Sequence, residues 1–143
     1  MPTFQFPYCR TTLDITPAFP NGHVVSRPFV GACLRFGSKE TVPFFGLIDT
    51  GADYCMFPSE FLTALGIEKE CLPSSVAMGV STDHAVRFAT VTLEIDRLGL
   101  LSIYAGFSDN LNGQGYGMLG HMGFLNRYTL RCDPRNGRFE LED

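Results

Sequence analysis

The sequence predicts an all-β protein, and three features of its patterning support that class. Apolar and polar residues alternate, as they do in half-buried strands, over residues 30–36, 89–95 and 101–107. The dipeptide Asn136-Gly137, a strong hairpin signal, lies between two further segments of strand character. Helix signals are confined to short stretches of the chain. These observations together favour a β-sheet core with few helices.

The first 26 residues contain four prolines and little periodicity. This composition predicts an extended, Pro-rich N-terminal arm at 1–26 that wraps the folded body or joins a partner, followed by one folded domain at 27–143. After the strand at 30–36, a polar turn leads to the apolar run 44–48, which is expected to form a strand buried on both faces. No repeat or low-complexity segment interrupts the domain.

The remaining elements follow in the same way. Residues 58–66 predict a short helix, because Ser59 stands near the N-cap and Gly66 is a typical helix stop. The alternating segments 89–95 and 101–107 predict a β-hairpin across the turn at 96–99. The chain is expected to close with two strands joined through residues 133–137.

Composition excludes several function classes. The chain has 143 residues, of which 45% are hydrophobic, but no apolar stretch approaches the ~18 residues needed to span a bilayer, so no membrane partner is expected. Residues 1–10 do not have the pattern of a signal peptide. Fifteen acidic and eleven basic residues give a net charge of −4 without a basic run, which argues against nucleic acid as a partner.

The five cysteines form an odd set without a Cys-x-x-Cys pair, which favours reduced thiols and a cytoplasmic location over a disulfide framework or a zinc site. No metal or cofactor is therefore expected. Residues 115–120 fit Gly-x-Gly-x-x-Gly, but they lack the βαβ context of a dinucleotide site, so this interpretation is rejected. Cys55 is expected to be a buried structural thiol.

The strongest candidate for chemistry is Asp49, which ends the apolar run 44–48 and precedes Thr50 and Gly51. A carboxylate at the end of a buried strand is costly unless it is hydrogen-bonded or functional. Thr50 can supply a hydroxyl, and Gly51 allows other groups to approach the backbone. A simple turn is the competing interpretation, because Asp, Thr and Gly are all common turn residues.

A second apolar-Gly element at 118–125 strengthens the first motif. With these two elements the chain, from about Arg27 to Leu141, resembles the retropepsin-like aspartic proteases. The resemblance implies a closed or partly open acid-protease barrel with one or two short helices. It makes Asp49 the catalytic residue and gives supporting roles to Thr50, Gly51 and Gly120. Ala52 and Asp53 match the common continuation of the motif and are expected to contact substrate.

Hydrolysis of a peptide by carboxylates requires one group that accepts a proton from water and another that donates one to the carbonyl. The chain contains one Asp-Thr-Gly and no second Asp-Thr-Gly or Asp-Ser-Gly. A proteolytic function therefore requires a homodimer in which each copy contributes Asp49. The resemblance implies that Thr50 and its mate hydrogen-bond across the dimer axis, and that the substrate is an extended polypeptide.

The resemblance also implies a flap over the substrate, which is expected within residues 77–88, with contacts from Met78, Gly79, Val80 and Ser81. Relatives often have adjacent glycines there, whereas this chain has one, so a simple surface turn is the alternative. His84 is expected to be a solvated turn residue.

His121 stands where retroviral members usually have an arginine that pairs with the acid matching Asp53. One hypothesis is a salt bridge between Asp53 and His121 beneath the active site; the other is that backbone groups satisfy His121.

Two alternatives to a general endopeptidase remain open. The chain could be a catalytically weak or inactive peptide-binding module on the same fold. It could also be a self-processing protease that removes the arm at 1–26.

Overall fold

The computed structural model describes residues 1–78 and 83–143, with the side chains of these residues except Met78 and Asp83. These residues form thirteen strands: β1 (Thr3–Pro7), β2 (Cys9–Leu13), β3 (His23–Arg27), β4 (Phe29–Phe36), β5 (Lys39–Glu40), β6 (Phe44–Ile48), β7 (Met56–Pro58), β8 (Ser74–Met78), β9 (Asp83–Ile95), β10 (Gly99–Ser108), β11 (Tyr116–Leu119), β12 (Thr129–Asp133) and β13 (Arg138–Glu142).

Helical structure in the described residues is limited to one α-helix, α1 (Glu60–Leu65), and four single-turn 3-10 segments. The 3-10 segments are Lys69–Cys71, Asp109–Leu111, Leu125–Arg127 and Pro134–Asn136. The predicted all-β class with few short helices is confirmed. No helix in the part of the chain that the structure describes is long and apolar enough to cross a membrane.

The chain folds as two compact units, one of residues Val30–Arg127 and one of Met1–Phe29 with Tyr128–Asp143. In the first unit, β4, β6, β11, β7, β10 and β9 are hydrogen-bonded in that order, and β9 pairs again with β4 to close a six-stranded barrel. Strands β5 and β8 extend the sheet beyond this ring. The closed barrel agrees with the expectation from the sequence.

The alternating patterns place one face of each strand in the barrel core. Along β4, Val30, Ala32 and Leu34 are buried, as predicted, whereas Phe36 is exposed where β4 pairs with the short β5. In the hairpin of β9 and β10, Leu93 lies opposite Leu101 and both are buried. The side chains that are almost completely buried in this unit include Leu34, Phe57, Leu93, Ile95, Phe107, Leu119 and Phe124.

The residues predicted to form an extended arm at 1–26 lie in the second unit. Strand β1 pairs along its whole length with β13, from Thr3 opposite Glu142 to Pro7 opposite Arg138, and β12 pairs on the other side of β13. Strands β2 and β3 form their own hairpin. The first 26 residues are therefore mostly strand, and the residues that pair with β1 lie at the other end of the chain.

Two predicted turns have the expected glycines. Gly66 ends α1 in the left-handed conformation with φ 69°, and its N–H bonds to carbonyls of the last turn. Ser59 stands at the N-cap but makes no side-chain cap bond there. Gly137, also at φ 69°, follows the 3-10 turn that joins β12 to β13 and confirms the closing hairpin.

Candidate active site

Asp49 follows directly after β6, a strand that lies between β4 and β11 in the barrel. Phe44 and Ile48 of β6 are buried, but Phe45 is 57% exposed, so the strand is not buried on both faces as predicted. The Asp49 N–H donates to the Leu119 carbonyl at 3.1 Å, which extends the parallel pairing of β6 with β11 by one residue. The main chain of Asp49 is therefore fixed by the barrel.

The Asp49 carboxylate is held by the turn that follows it. The Gly51 N–H donates to Asp49 Oδ1 at 2.9 Å, and the Ala52 N–H donates to the Asp49 carbonyl oxygen at 3.2 Å. A Cβ on Gly51 would lie 3.3 Å from Oδ1, closer than most such contacts. The carboxylate is half-buried, with one oxygen oriented by a backbone donor.

The second motif supports this turn from beside it. The His121 N–H donates to the Ala52 carbonyl and the Met122 N–H to the Asp53 carbonyl, both at 2.9 Å. Gly120 makes this approach possible, because a Cβ there would lie 2.6 Å from the Ala52 carbonyl oxygen and would also overlap the Tyr54 carbonyl oxygen. Gly120 thus lies against the loop that carries Asp49, Thr50 and Gly51.

His121 does not form the hypothesised salt bridge. Among the described residues, no ion pair within 4.0 Å includes Asp53 or His121. Instead, His121 Nε2 lies 2.7 Å from the Thr50 carbonyl oxygen. A carbonyl only accepts, so Nε2 carries the proton and donates it. This is the backbone alternative, and it ties His121 to the residue that follows Asp49.

A cleft of about 700 Å³ opens in front of this loop. Asp49, Gly51, Ala52 and Asp53 line it together, whereas Thr50 is exposed and Gly120 packs against the carbonyls of the loop. Strands β8 and β9 contribute the other wall through Ser75, Val76, Ala77 and His84. The cleft therefore combines carboxylates on one side with the strand pair of β8 and β9 on the other.

The prediction for His84 is wrong. His84 belongs to β9, opposite Ala77 of β8, and it lines the cleft instead of standing in a solvated turn. Both ring nitrogens are shielded from solvent and have no hydrogen-bond partner among the described residues. The sequence did not identify His84 as a cleft residue, because its polar neighbours resemble a turn. Its pairing with β8 lies within 77–88, where the flap is expected.

Three of the expected flap contacts, Gly79, Val80 and Ser81, lie outside the described residues. The backbone of Met78 is the last position of β8. These four residues therefore stay predictions.

Cys55 has the buried structural environment that its sequence context predicted. The side chain is completely buried, and its thiol contacts the Met122 carbonyl oxygen at 3.6 Å. Burial raises the pKa of the Cys55 thiol to about 11, although a backbone hydrogen bond with Gly120 opposes the shift. A thiol with this pKa is not a nucleophile near neutral pH.

A second cavity of about 730 Å³ lies beside α1. Its central polar groups are paired with one another: Ser59 Oγ donates to Asp109, Lys69 Nζ lies 3.6 Å from the same carboxylate, and Asn112 Oδ1 accepts from the Glu60 N–H at 3.0 Å. The Ser59 and Lys69 contacts lower the Asp109 pKa, with the Ser59 hydrogen bond as the main cause. The polar groups named here already pair with one another, so the cleft lined by Asp49 is the better candidate site.

No family model matches the chain, and no curated protein matches it. Solved structures do match. One of them, the crystal structure of a retropepsin-like aspartic protease from Rickettsia conorii, aligns with a TM-score of 0.56 over 93% of this chain and 98% of its own. The sequence identity is 15%. At that identity the likeness establishes the fold, which is retropepsin-like.

Proposed function

We propose that this chain, with its retropepsin-like fold, is an aspartic endopeptidase that hydrolyses peptide bonds between two Asp49 side chains, one from each protomer of a homodimer. The observation that carries the proposal is the position of the Asp49 carboxylate. It stands at the end of a barrel strand, oriented by the Gly51 N–H at 2.9 Å, and it lines a cleft large enough for a peptide.

The chemistry requires two carboxyl groups that share one proton. The ionised group accepts a proton from water as the water oxygen attacks the peptide carbonyl carbon, and the protonated group donates its proton to the carbonyl oxygen. When the tetrahedral intermediate collapses, the carbon–nitrogen bond breaks and the leaving amine takes up a proton from the dyad. Each protomer supplies one such group, because the motif occurs once in the sequence.

The environment of Thr50 is consistent with an interface role. Thr50 is exposed, and its carbonyl oxygen is fixed by His121, but its hydroxyl makes no hydrogen bond to any of the described residues. A hydroxyl that is free in one protomer can bond to its counterpart across a two-fold axis. We therefore assign Thr50 to positioning of the dyad.

The cleft walls suggest the general character of the substrate. Apart from Asp49 and Asp53, most of the lining is apolar or backbone, and its side chains include Ala52, Met56, Val76, Ala77 and Met118. An extended polypeptide with mostly apolar side chains near the scissile bond fits such a surface. Ala52 and Asp53 of the loop are proposed substrate contacts. The contacts expected from Met78, Gly79, Val80 and Ser81 are part of the same proposal.

The test is cleavage of a diverse peptide pool between pH ~3.5 and ~7, where a dyad with one shared proton is active. Wild type is compared with Asp49→Asn and with Asp14→Asn, a matched change at an exposed acid in the other unit. We expect cleavage by wild type and Asp14→Asn and none by Asp49→Asn. If wild type fails to cleave at concentrations where dimers form, the peptide-binding alternative replaces the enzyme.

A further inference from the structure

We infer that His84 is a specificity-determining residue of the cleft, and that it selects peptides with a carboxamide side chain, Asn or Gln, at the subsite it faces. This inference rests on the proposed function, since it names a substrate class for the same cleft. It adds one polar requirement to a site that otherwise favours apolar side chains.

The strand register directs His84 inward. In the antiparallel pair of β8 and β9, His84 lies opposite Ala77, and Val86 lies opposite Ser75. Residues two apart on a strand, and residues directly opposite, share one face of the sheet. Val86 is completely buried, so this is the face turned toward the body of the unit. His84 therefore points to the same side as Ser75 and Ala77, which also line the cleft.

The ring of His84 is not satisfied there. Both nitrogens are shielded from solvent, and neither has a partner in the described part of the chain. A polar group that is buried without a hydrogen bond destabilises the state that contains it. By contrast, His121 on the other side of the cleft loop has its Nε2 paired with a carbonyl. A bound peptide that offers a partner would recover the lost hydrogen bond of His84.

The charges and hydrogen-bonding groups of the cleft limit which substrate side chain can pair with His84. Among the side chains that the structure describes, the acidic groups that line the cleft are Asp49 and Asp53, so a substrate carboxylate would meet like charges. Each nitrogen of an imidazole ring carries either a proton that it can donate or a lone pair that can accept. A carboxamide complements both cases, because its oxygen accepts from a ring N–H and its NH₂ donates to a bare ring nitrogen. The second nitrogen can pair with the main chain of the same extended peptide.

The inference is tested with peptide pairs that differ only by Gln for Met or Asn for Leu, placed in turn at each position of a cleaved sequence. For the subsite that His84 faces, we expect wild type to favour the carboxamide peptide in kcat/KM by about tenfold, the value of one hydrogen bond. His84→Leu should remove or reverse this preference, and His84→Gln should retain part of it. His23→Leu, the same change at an exposed histidine in the other unit, should leave it unchanged.

A binding measurement separates this inference from the proposed function. The peptide pairs are added to Asp49→Asn protein, and the imidazole signals of His84, assigned with His84→Leu, are followed by NMR. The inference is supported if the carboxamide peptide of a pair binds more tightly and shifts the His84 signals more. If wild type cleaves peptides but His84→Leu changes neither selectivity nor binding, the inference fails and the function stands. If nothing is cleaved but binding depends on His84, the function fails and the inference stands. If no peptide is cleaved or bound, both fail.

Discussion

Gly120 has the most restricted environment of the residues that support the candidate site. Its missing side chain leaves room for the carbonyls of Ala52 and Tyr54, and an added Cβ would lie 2.6 Å from the first of these oxygens. Both are backbone atoms held by other hydrogen bonds or strand pairing, so neither can move without displacing the loop. We expect Gly120→Ala to lower the free energy of unfolding by ~1–3 kcal/mol or more and to abolish cleavage.

Urea denaturation measures this effect, with Gly31→Ala as the control. A Cβ on Gly31 would lie 3.7 Å from the nearest atom, an ordinary contact, and the residue lies in β4 without a positive φ. Its replacement should leave stability unchanged or raise it by up to about 1 kcal/mol. Equal losses in the two variants would contradict the steric argument.

We predict that His121 positions the loop that carries Asp49. Its Nε2 bonds to the Thr50 carbonyl at 2.7 Å, and the side chain is otherwise exposed. Loss of one such hydrogen bond costs about 1 kcal/mol. In the proposed enzyme, His121→Ala should lower kcat several-fold and leave KM nearly unchanged, since the dyad is displaced but the cleft walls are not.

Steady-state kinetics checks this prediction, with two further variants for comparison. His121→Gln should recover much of the rate because the amide NH₂ can replace the Nε2 donor. His23→Ala removes an exposed histidine from the other unit and should have no effect. A loss of kcat that Gln does not rescue would mean that the ring itself, and not its hydrogen bond, is needed.

We expect the stability of the fold to fall at alkaline pH because the Cys55 thiol is buried. Burial raises its thiol pKa from 9.0 to about 11, so above pH 9 the unfolded chain ionises first. The raised pKa therefore contributes stability that is fully present below pH 9 and is lost as the pH rises to about 11. The loss amounts to ~2–3 kcal/mol at most.

Urea midpoints measured between pH 8 and 11 for wild type and Cys55→Ala test this contribution. Other groups titrate equally in both proteins, so the difference between the two curves isolates Cys55. We expect the wild-type midpoint to fall more steeply over this interval. Parallel curves would show that the thiol is not desolvated.

Strand β1 is held both by main-chain pairing and by packing of an aromatic ring. It pairs with β13 along five residues, and the ring of Phe6 stacks on Phe139 with centroids 5.4 Å apart. Both rings are buried. We expect Phe6→Ala to lower the free energy of unfolding by ~3–5 kcal/mol. Phe36→Ala, at a ring that is 47% exposed, should cost much less.

The same pairing bears on the self-processing hypothesis. A segment that is hydrogen-bonded within a three-stranded sheet is a poor target for cleavage, because a protease needs an extended and accessible chain. Mass spectrometry of protein aged at the active pH should therefore show residues 1–7 intact in wild type. Release of β1 from wild type but not from Asp49→Asn would support self-processing.

Local sequence patterns predict some of these strands and not others. The period-two alternation and the Asn136-Gly137 turn are local signals, so β4, the β9–β10 hairpin and the β12–β13 hairpin were predictable. Asp49 and Gly120 could be proposed from sequence because their motifs are short and contiguous. The pairing of β1 was not predicted because its partner lies about 135 residues away, as for Phe6 opposite Phe139. The placement of His84 depends in the same way on pairing and not on composition.

The proposed chemistry requires two copies of the chain to associate. One chain supplies one Asp49, so a dimer of wild type with Asp49→Asn has a single carboxylate and should be inactive. If wild type and variant are mixed in equal amounts and exchange freely, random pairing places about half of the wild-type protomers in inactive heterodimers. Activity per wild-type protomer should therefore fall to about half on adding an equal amount of Asp49→Asn.

Peptide cleavage assays on such mixtures, made after the subunits have had time to exchange, measure this fall. Adding Asp49→Asn in larger excess should reduce activity further, because each wild-type chain then meets mostly variant partners. An equal mass of an unrelated protein should have no effect. Activity that stays constant through the titration, with exchange demonstrated by mass spectrometry, would mean that a single Asp49 suffices. In that case the second proton-transfer group must be sought within one chain, where Asp53 is a second carboxylate among the described residues that line the cleft.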